Sequence, residues 1–264
     1  PTLFAILFAI AAVSWLASAW LFKGIREGVT KQEEKDLPQG TNYVRDVVDD
    51  IVDLVRSDRN FRRFVLVRSL LLASALSPTF LVTMANQHSA AEKSSLASTI
   101  FTGLGTFVIA AGVASLLAGR VSGWLSDVSS RNTLSGAALL ATIVLIVTVV
   151  LGYVSSLSDA HAWTTALVWW LPIAFFIISL AHAAIRVARS TYIVDMAEGT
   201  QRTRYVSVAN TLMGVLLLIV GALTSVLALL SPEVALAALA LFGLLGAALS
   251  KSLPEVSVGK SEIS

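Results

Sequence analysis

The stretch Thr133–Tyr153, TLSGAALLATIVLIVTVVLGY, carries no charged residue. It is long enough to cross the hydrocarbon core of a membrane, which takes about 20 mostly apolar residues in a helix. Lipid offers the backbone no hydrogen-bond partners, so a spanning segment must form a helix or join a closed barrel. The apolar residues run without the alternation of a barrel strand. The stretch therefore predicts a transmembrane helix.

Six further apolar runs of similar length occupy most of the remaining chain. Charged residues make up 14% and hydrophobic residues 56% of the 264 residues, whereas a soluble domain carries roughly 25% charged residues. The predicted fold class is therefore an all-α integral membrane protein with about seven transmembrane helices. The six further runs are Leu3–Phe22, Phe61–Ala85, Ser95–Ala118, Trp163–Ile185, Tyr205–Leu229 and Pro232–Ser250.

The basic residues indicate how the predicted helices are oriented. All 19 lysines and arginines except Lys93 fall on one side of the predicted spans. The positive-inside rule places that side in the cytoplasm. We therefore expect a multi-pass plasma-membrane protein, surrounded by lipid, with Pro1 outside and the C-terminus inside. The net charge of +2 then reflects topology, and no nucleic-acid partner is needed to explain it.

One sizeable polar segment, residues 23–60, separates the first predicted span from the others. Within Thr41–Arg56 the apolar residues recur at helical spacing, which predicts an amphipathic helix on the cytoplasmic face. Its aspartates disfavour anionic lipid, so we expect its apolar side to pack on protein. The predicted organisation is a helix over residues 1–22, this linker, a six-helix bundle over 61–251, and a loose cytoplasmic tail over 252–264.

Polar side chains within the spans are the candidate contacts for a solute, because such residues usually face a bundle interior or water. Each has a second interpretation that stays open. Serine and threonine stripes also serve helix packing, Arg68 can snorkel to the headgroups, and His182 can be a packed core residue. In the second predicted span Pro78 can kink the helix. The candidates are Arg68, Thr79, Thr83 and Asn86 on one face of the second span, His182 in the fifth, and Thr211 in the sixth.

A turn-like motif, GWLSDVSSR at Gly123–Arg131, lies between the third and fourth predicted spans. Gly123 would let the backbone approach closely in a tight loop. Asp127 would accept backbone N–H groups at a helix N-terminus. Arg131 would pair with Asp127 or with another carboxylate. An ordinary capped turn with a cytoplasmic arginine is the alternative interpretation.

This motif resembles the signature loop of the major facilitator superfamily, in the copy between the second and third helices of the C-terminal half. The resemblance implies that residues 61–250 are that six-helix half and that residues 23–60 are the central cytoplasmic loop. Leu3–Phe22 would then be the last helix of a preceding N-terminal half, which becomes the expected partner. It also implies a gating role for Gly123, Asp127 and Arg131.

A second segment, Arg186–Thr211, is similar to the corresponding turn and helix of bacterial members of this family. It adds Asn210 to the candidate solute contacts. The motif departs from the family pattern at Ser130, where the family usually has glycine, and at Asn132, which replaces a basic residue. In the family the first and fourth helices of each half line the cavity, and these correspond to the second and fifth spans here.

The resemblance implies secondary active transport of a small solute by alternating access, with a proton or sodium ion as a possible coupling ion. This chain alone would then be a partial transporter that does not transport by itself. We expect no enzyme activity, cofactor or metal site, because the chain has no cysteine and its three histidines are scattered. A seven-helix receptor or a non-transporting membrane scaffold is the alternative. The long first loop argues against the receptor.

Overall fold

A computed structural model describes residues 2–23, 43–91, 103–157, 161–196 and 201–256 of the chain. These residues are almost entirely helical. The helices are α1 (Thr2–Lys23), α2 (Tyr43–Ser57), α3 (Arg59–Ser74), α4 (Ser77–Ala91), α5 (Leu104–Val128), α6 (Ser130–Leu157), α7 (His161–Met196), α8 (Gln201–Ala228) and α9 (Pro232–Ser250).

Six apolar segments of the described chain are long enough to cross a membrane, which confirms an all-α, multi-pass membrane fold. The first of the seven predicted spans lies in α1, a helix of 22 residues. The apolar part of α1 within the fully described residues is Ala12–Leu21, which is shorter than a span, so crossing by α1 stays a prediction. The six segments are Arg59–His88, Leu104–Ser126, Ser130–Leu157, Ala162–Met196, Arg202–Ala228 and Pro232–Ser250.

The predicted second span is divided into two helices. α3 ends at Ser74 and α4 begins at Ser77, with Ala75 and Leu76 in a turn between them. Pro78 has no N–H to donate to the carbonyl of Ser74, and its ring crowds that carbonyl. The predicted kink at Pro78 is therefore confirmed, as a break in the helix.

The predicted end of the third span at Ala118 is wrong. α5 continues without interruption to Val128, so most of the turn-like motif is helical. Glycine and serine read as turn formers in a soluble sequence, but they are common inside membrane helices, where neighbouring helices stabilise the backbone. The predicted start of this span at Ser95 lies outside the described residues.

The amphipathic helix of the linker is present as α2, and its second half belongs to the same compact unit as the six-span bundle. The chain forms two such units, Pro1–Asp50 and Ile51–Ser264. In the second unit Leu54 is only 3% exposed and lies with Val55 against the core of the bundle. The expectation that this helix packs on protein is confirmed for its second half.

The bundle core consists of two apolar clusters, one at each end. The α2-end cluster includes Leu54, and within it the rings of Phe64 and Tyr192 stack at 5.2 Å between centroids. The distal cluster includes Phe107 and Phe175, whose rings meet edge to face at 5.0 Å. α7 passes through both clusters and packs most extensively on α6 and α5.

Candidate functional site

Arg68 and Asn210 are brought together from α3 and α8. Arg68 Nη2 donates a hydrogen bond of 2.6 Å to Asn210 Oδ1. A guanidinium group has only donors, so the oxygen of the amide must face it. Arg68 Nε is buried and has no hydrogen-bond partner within the described ranges. The sequence identified both residues as candidates but gave no indication that they bind each other.

Arg189 on α7 completes this group, and sequence reasoning did not select it. Arg68 and Arg189 line the same small cavity of about 10 Å³ and repel each other as like charges. Among the residues that the structure describes, no carboxylate lies within ion-pair distance of either guanidinium. The signal in the sequence was the spacing of seven residues from His182, which places Arg189 on the same side of α7.

His182 lies in the bundle interior between the two apolar clusters. Its side chain is 9% exposed, and its Nε2 lies 3.3 Å from Ser74 Oγ. The Ser74 hydroxyl already donates its proton to Leu71 O at 2.8 Å, so His182 Nε2–H is the donor between the two side chains. This leaves Nδ1 as a buried acceptor with no partner within the described helices. The structure places His182 in the packed interior, and Ser74 was missed by the sequence analysis.

The predicted continuous stripe from Arg68 to Asn86 is wrong, because the break after Ser74 separates Arg68 from the other three members. Thr79, Thr83 and Asn86 are all exposed along α4. Thr83 Oγ1 donates to the carbonyl of Thr79 at 3.0 Å, a bond that satisfies the hydroxyl within its own helix.

Thr211 is exposed beside Asn210, and its hydroxyl donates to Ser207 O at 3.0 Å. This bond also stays within one helix, and the side chains of both Asn210 and Thr211 are exposed on the surface of α8. Of the two, Asn210 is the one that hydrogen-bonds to Arg68.

The expected tight-loop role of Gly123 is also wrong. Gly123 lies inside α5, and a Cβ atom added to it would meet nothing within 4 Å. Only Ser129 separates α5 from α6, and its Oγ accepts the backbone N–H of Asn132 at 3.1 Å. Ser129 thus caps α6 in the manner expected of Asp127. The side chain of Asp127 lies outside the described residues.

Arg131 pairs with the segment that follows α9. Its Nε lies 3.3 Å from Glu255 Oε2, and its Nη1 donates to Leu253 O at 3.4 Å. Leu253 is 1% exposed, and Tyr192 OH donates to Pro254 O at 3.0 Å. The expectation of a loose tail is therefore wrong as far as residue 256, beyond which the tail lies outside the described residues.

A groove of about 470 Å³ lies between α5, α6 and α7, next to the α5–α6 junction. Its lining is mainly apolar, with Leu140 and Leu180 among its side chains. Ser122 also lines it, and its buried hydroxyl has no hydrogen-bond partner in the part of the chain that the structure describes. Nothing in the sequence pattern indicated this groove, because its three walls come together only through the packing of α7.

The described residues contain no group of three histidine, aspartate or glutamate side chains that could hold a metal ion. No protein-family model, curated protein or solved structure matches the chain. The resemblance to the major facilitator superfamily therefore rests on the motif and the order of the spans, and it stays a prediction.

Proposed function

We propose that this chain forms one bundle of a secondary transporter of the major facilitator type. The transporter moves a small solute across the plasma membrane of a bacterium by alternating access. A second bundle packs against this one, and the solute binds between the two near the middle of the membrane. The α2 end of the bundle faces the cytoplasm.

The observation that carries this proposal is the exposure of α5 and α8. In an apolar stretch of 18 residues, only 17% is buried in α5 and 11% in α8, compared with 39–50% for the same length of the other four spans. The uncovered faces include Gly112 and Gly119 on α5 and Gly214 and Gly221 on α8, and a Cβ atom at any of these would meet nothing within 4 Å. Small residues on membrane helices allow close approach of another helix.

Glycines in the bundle interior already allow close contacts between helices. A Cβ at Gly246 would lie 2.7 Å from Leu71 Cδ2, and one at Gly243 would lie 2.6 Å from Thr142 Oγ1. There glycine already permits contact between α9 and its neighbours. The uncovered glycines of α5 and α8 are therefore suited to contacts with a second bundle.

Two features support movement of the bundle during transport. The α3–α4 break lacks a continuous helical hydrogen-bond pattern, and Pro172 lies inside α7, a helix of 36 residues, where it removes one backbone hydrogen bond. Kinks at proline are common sites of bending. Both features lie in the helices that carry Arg68 and His182, so bending would change the position of these polar groups.

Transport is tested with both proposed bundles together, reconstituted into liposomes. Uptake is measured for labelled organic acids, amino acids, sugars and cationic drugs, with and without a proton or sodium gradient. Saturable uptake of one class supports the proposal, and a folded, correctly inserted protein that moves none of them contradicts it. The 264-residue chain alone is the control, and we expect no saturable flux from it because a single bundle does not enclose a pathway.

A further inference from the structure

The group formed by Arg68, Arg189 and Asn210 presents hydrogen-bond donors without acceptors. Asn210 Oδ1 is occupied by Arg68 Nη2, which directs the two N–H bonds of the amide nitrogen elsewhere. Arg68 Nε has no hydrogen-bond partner among the described residues, and arginine side chains contain no acceptor. A ligand that satisfies this group must therefore supply acceptors alone.

The positive charge of the two arginines also favours a ligand that supplies acceptors, because such a ligand can be an anion. Arg68 and Arg189 lie in the proposed cytoplasmic parts of two helical segments that are long and apolar enough to cross a membrane, and cations in such segments are normally paired. In the described part of the chain neither has a carboxylate partner. The hydrogen bond to Asn210 on another helix holds Arg68 in place, which distinguishes it from an arginine that extends freely towards the headgroups.

We propose that Arg68, Arg189 and Asn210 form a binding site for the oxyanion group, carboxylate or phosphate, of a small solute. Arginine binds such groups through paired N–H donors in one plane. The amide N–H groups of Asn210 add donors from another direction. The cavity of about 10 Å³ holds at most one water molecule, so the solute approaches from the side of α8, where Asn210 is exposed. If the proposed transport function holds, the transported solute is an anion.

The test measures binding by the full chain in nanodiscs of phosphatidylcholine. Thermal unfolding is followed with added sodium phosphate or sodium citrate, each compared with sodium chloride at equal ionic strength. Both oxyanions should raise the unfolding midpoint of the wild type, because a ligand that binds only the folded state stabilises it. Arg189→Gln and Arg68→Lys should weaken the apparent affinity about tenfold or more, since each removes charge-assisted hydrogen bonds.

Arg186→Gln is the matched control, because Arg186 is exposed one turn from Arg189 and does not line the cavity. It should retain most of the response. Asn210→Asp provides a test that does not depend on loss of folding. It places a carboxylate 2.6 Å from the Arg68 guanidinium position, so it should raise the midpoint without any added anion and abolish the response to phosphate.

Three results would overturn the proposal: no response of the wild type to either anion, equal loss of response in Arg186→Gln, or stabilisation only when phosphatidylglycerol replaces phosphatidylcholine. The last result would assign the group to lipid headgroups. Because the assay measures binding and not flux, its failure leaves transport of an uncharged or cationic solute open. Failure of transport, in turn, leaves anion binding intact.

Discussion

Arg131 at the start of α6 and Glu255 beyond the end of α9 form an ion pair, with 3.3 Å between Nε and Oε2. The same carboxylate oxygen accepts a hydrogen bond of 2.8 Å from the hydroxyl of Ser129, the residue that caps α6. Glu255 thus joins the junction of α5 and α6 to the segment after α9. Both ionic side chains are partly shielded from solvent, so their attraction is screened less than that of a surface pair.

We expect Glu255→Gln to lower the free energy of unfolding by about 1 kcal/mol, because it removes the ion pair and keeps an acceptor for Ser129. A double-mutant cycle with Arg131→Gln isolates the pair from the effect of each side chain alone. Unfolding in detergent, followed by tryptophan fluorescence, measures the four proteins. If the two substitutions are additive, the pair contributes nothing to stability.

The sequence predicted the helical spans of this fold well, because continuous apolar runs need only composition and length. Pro232–Ser250 was predicted with the same ends that the structure has. The end of α5 was missed, because glycines such as Gly119 and Gly123 occur both in turns and inside membrane helices. Their presence alone does not distinguish the two structures. Such a boundary depends on how the neighbouring helices pack.

Two of the three residues of the candidate site, Arg68 and Asn210, were predicted, but Arg189 and the contacts between the residues were missed. Arg68 and Asn210 are 142 residues apart, and a pairing across that distance is decided by the docking of α8 on α3. Glu255 was missed as the partner of Arg131 for the same reason. The motif predicted that Arg131 pairs with Asp127 or another carboxylate, and the carboxylate found, Glu255, comes from the other end of the bundle sequence.

The second prediction concerns Asp58, which caps α3 and binds α8. Its Oδ1 accepts the backbone N–H groups of Asn60 at 2.8 Å and Phe61 at 3.0 Å, and its Oδ2 accepts the hydroxyl of Tyr205 at 2.6 Å. We expect Asp58→Ala to lower the free energy of unfolding by about 1–2 kcal/mol, as for loss of other helix caps. Tyr205→Phe should cost less, since it leaves both cap bonds intact. An equal cost for the two variants would contradict a capping role.

The effect of Asp58 should also depend on pH. Burial raises the pKa of Asp58, but the hydrogen bonds from Tyr205, Phe61 and Asn60 together leave that pKa below its ordinary value. The folded state therefore favours the ionised form. Its contribution to stability is complete above the unfolded-state pKa of about 3.9 and is lost as the pH falls through the lower folded-state pKa. The difference in unfolding midpoint between wild type and Asp58→Ala should be constant from pH 7 to about pH 5 and shrink below about pH 4. A difference that grows on acidification would contradict this assignment.

The third prediction tests orientation. The chain has no cysteine, so single substitutions give unique labels without a background. Asn86→Cys and Ser156→Cys, both exposed at the distal end, should react with a membrane-impermeant thiol reagent in intact cells. Ser57→Cys and Ser252→Cys, both exposed at the α2 end, should react only after permeabilisation. Labelling of the second pair in intact cells would reverse the topology that the basic residues predict.

The fourth prediction contrasts a packed glycine with an uncovered one. Alanine at Gly246 would place its Cβ 2.7 Å from Leu71 Cδ2 and 3.2 Å from Leu70 Cβ. Leu71 is fully buried, so we expect a loss of about 1–3 kcal/mol in stability from overpacking. Alanine at Gly119 meets nothing within 4 Å and should be neutral or slightly stabilising, because alanine favours the helix. Thermal unfolding of both variants in the same detergent measures the contrast, and a similar loss in both would show that α5 is covered in solution.

The last prediction separates folding of the bundle from its proposed association with a second bundle. Gly112→Trp on α5 and Gly221→Trp on α8 each add a large side chain where a Cβ meets nothing within 4 Å. Neither should change the unfolding midpoint of the 264-residue chain. Both should abolish uptake by the proposed two-bundle transporter, because an indole ring prevents the close helix contact that glycine allows.

Gly136→Trp is the control for this comparison. Gly136 is also exposed, and an added Cβ there meets nothing within 4 Å, but it lies on α6, which the proposal does not place against a second bundle. We expect this variant to retain both stability and uptake. Wild-type uptake in Gly112→Trp and Gly221→Trp would mean that these faces of α5 and α8 meet lipid. The observation that carries the two-bundle proposal would then have a simpler explanation, since a helix surrounded by lipid is also little buried by protein.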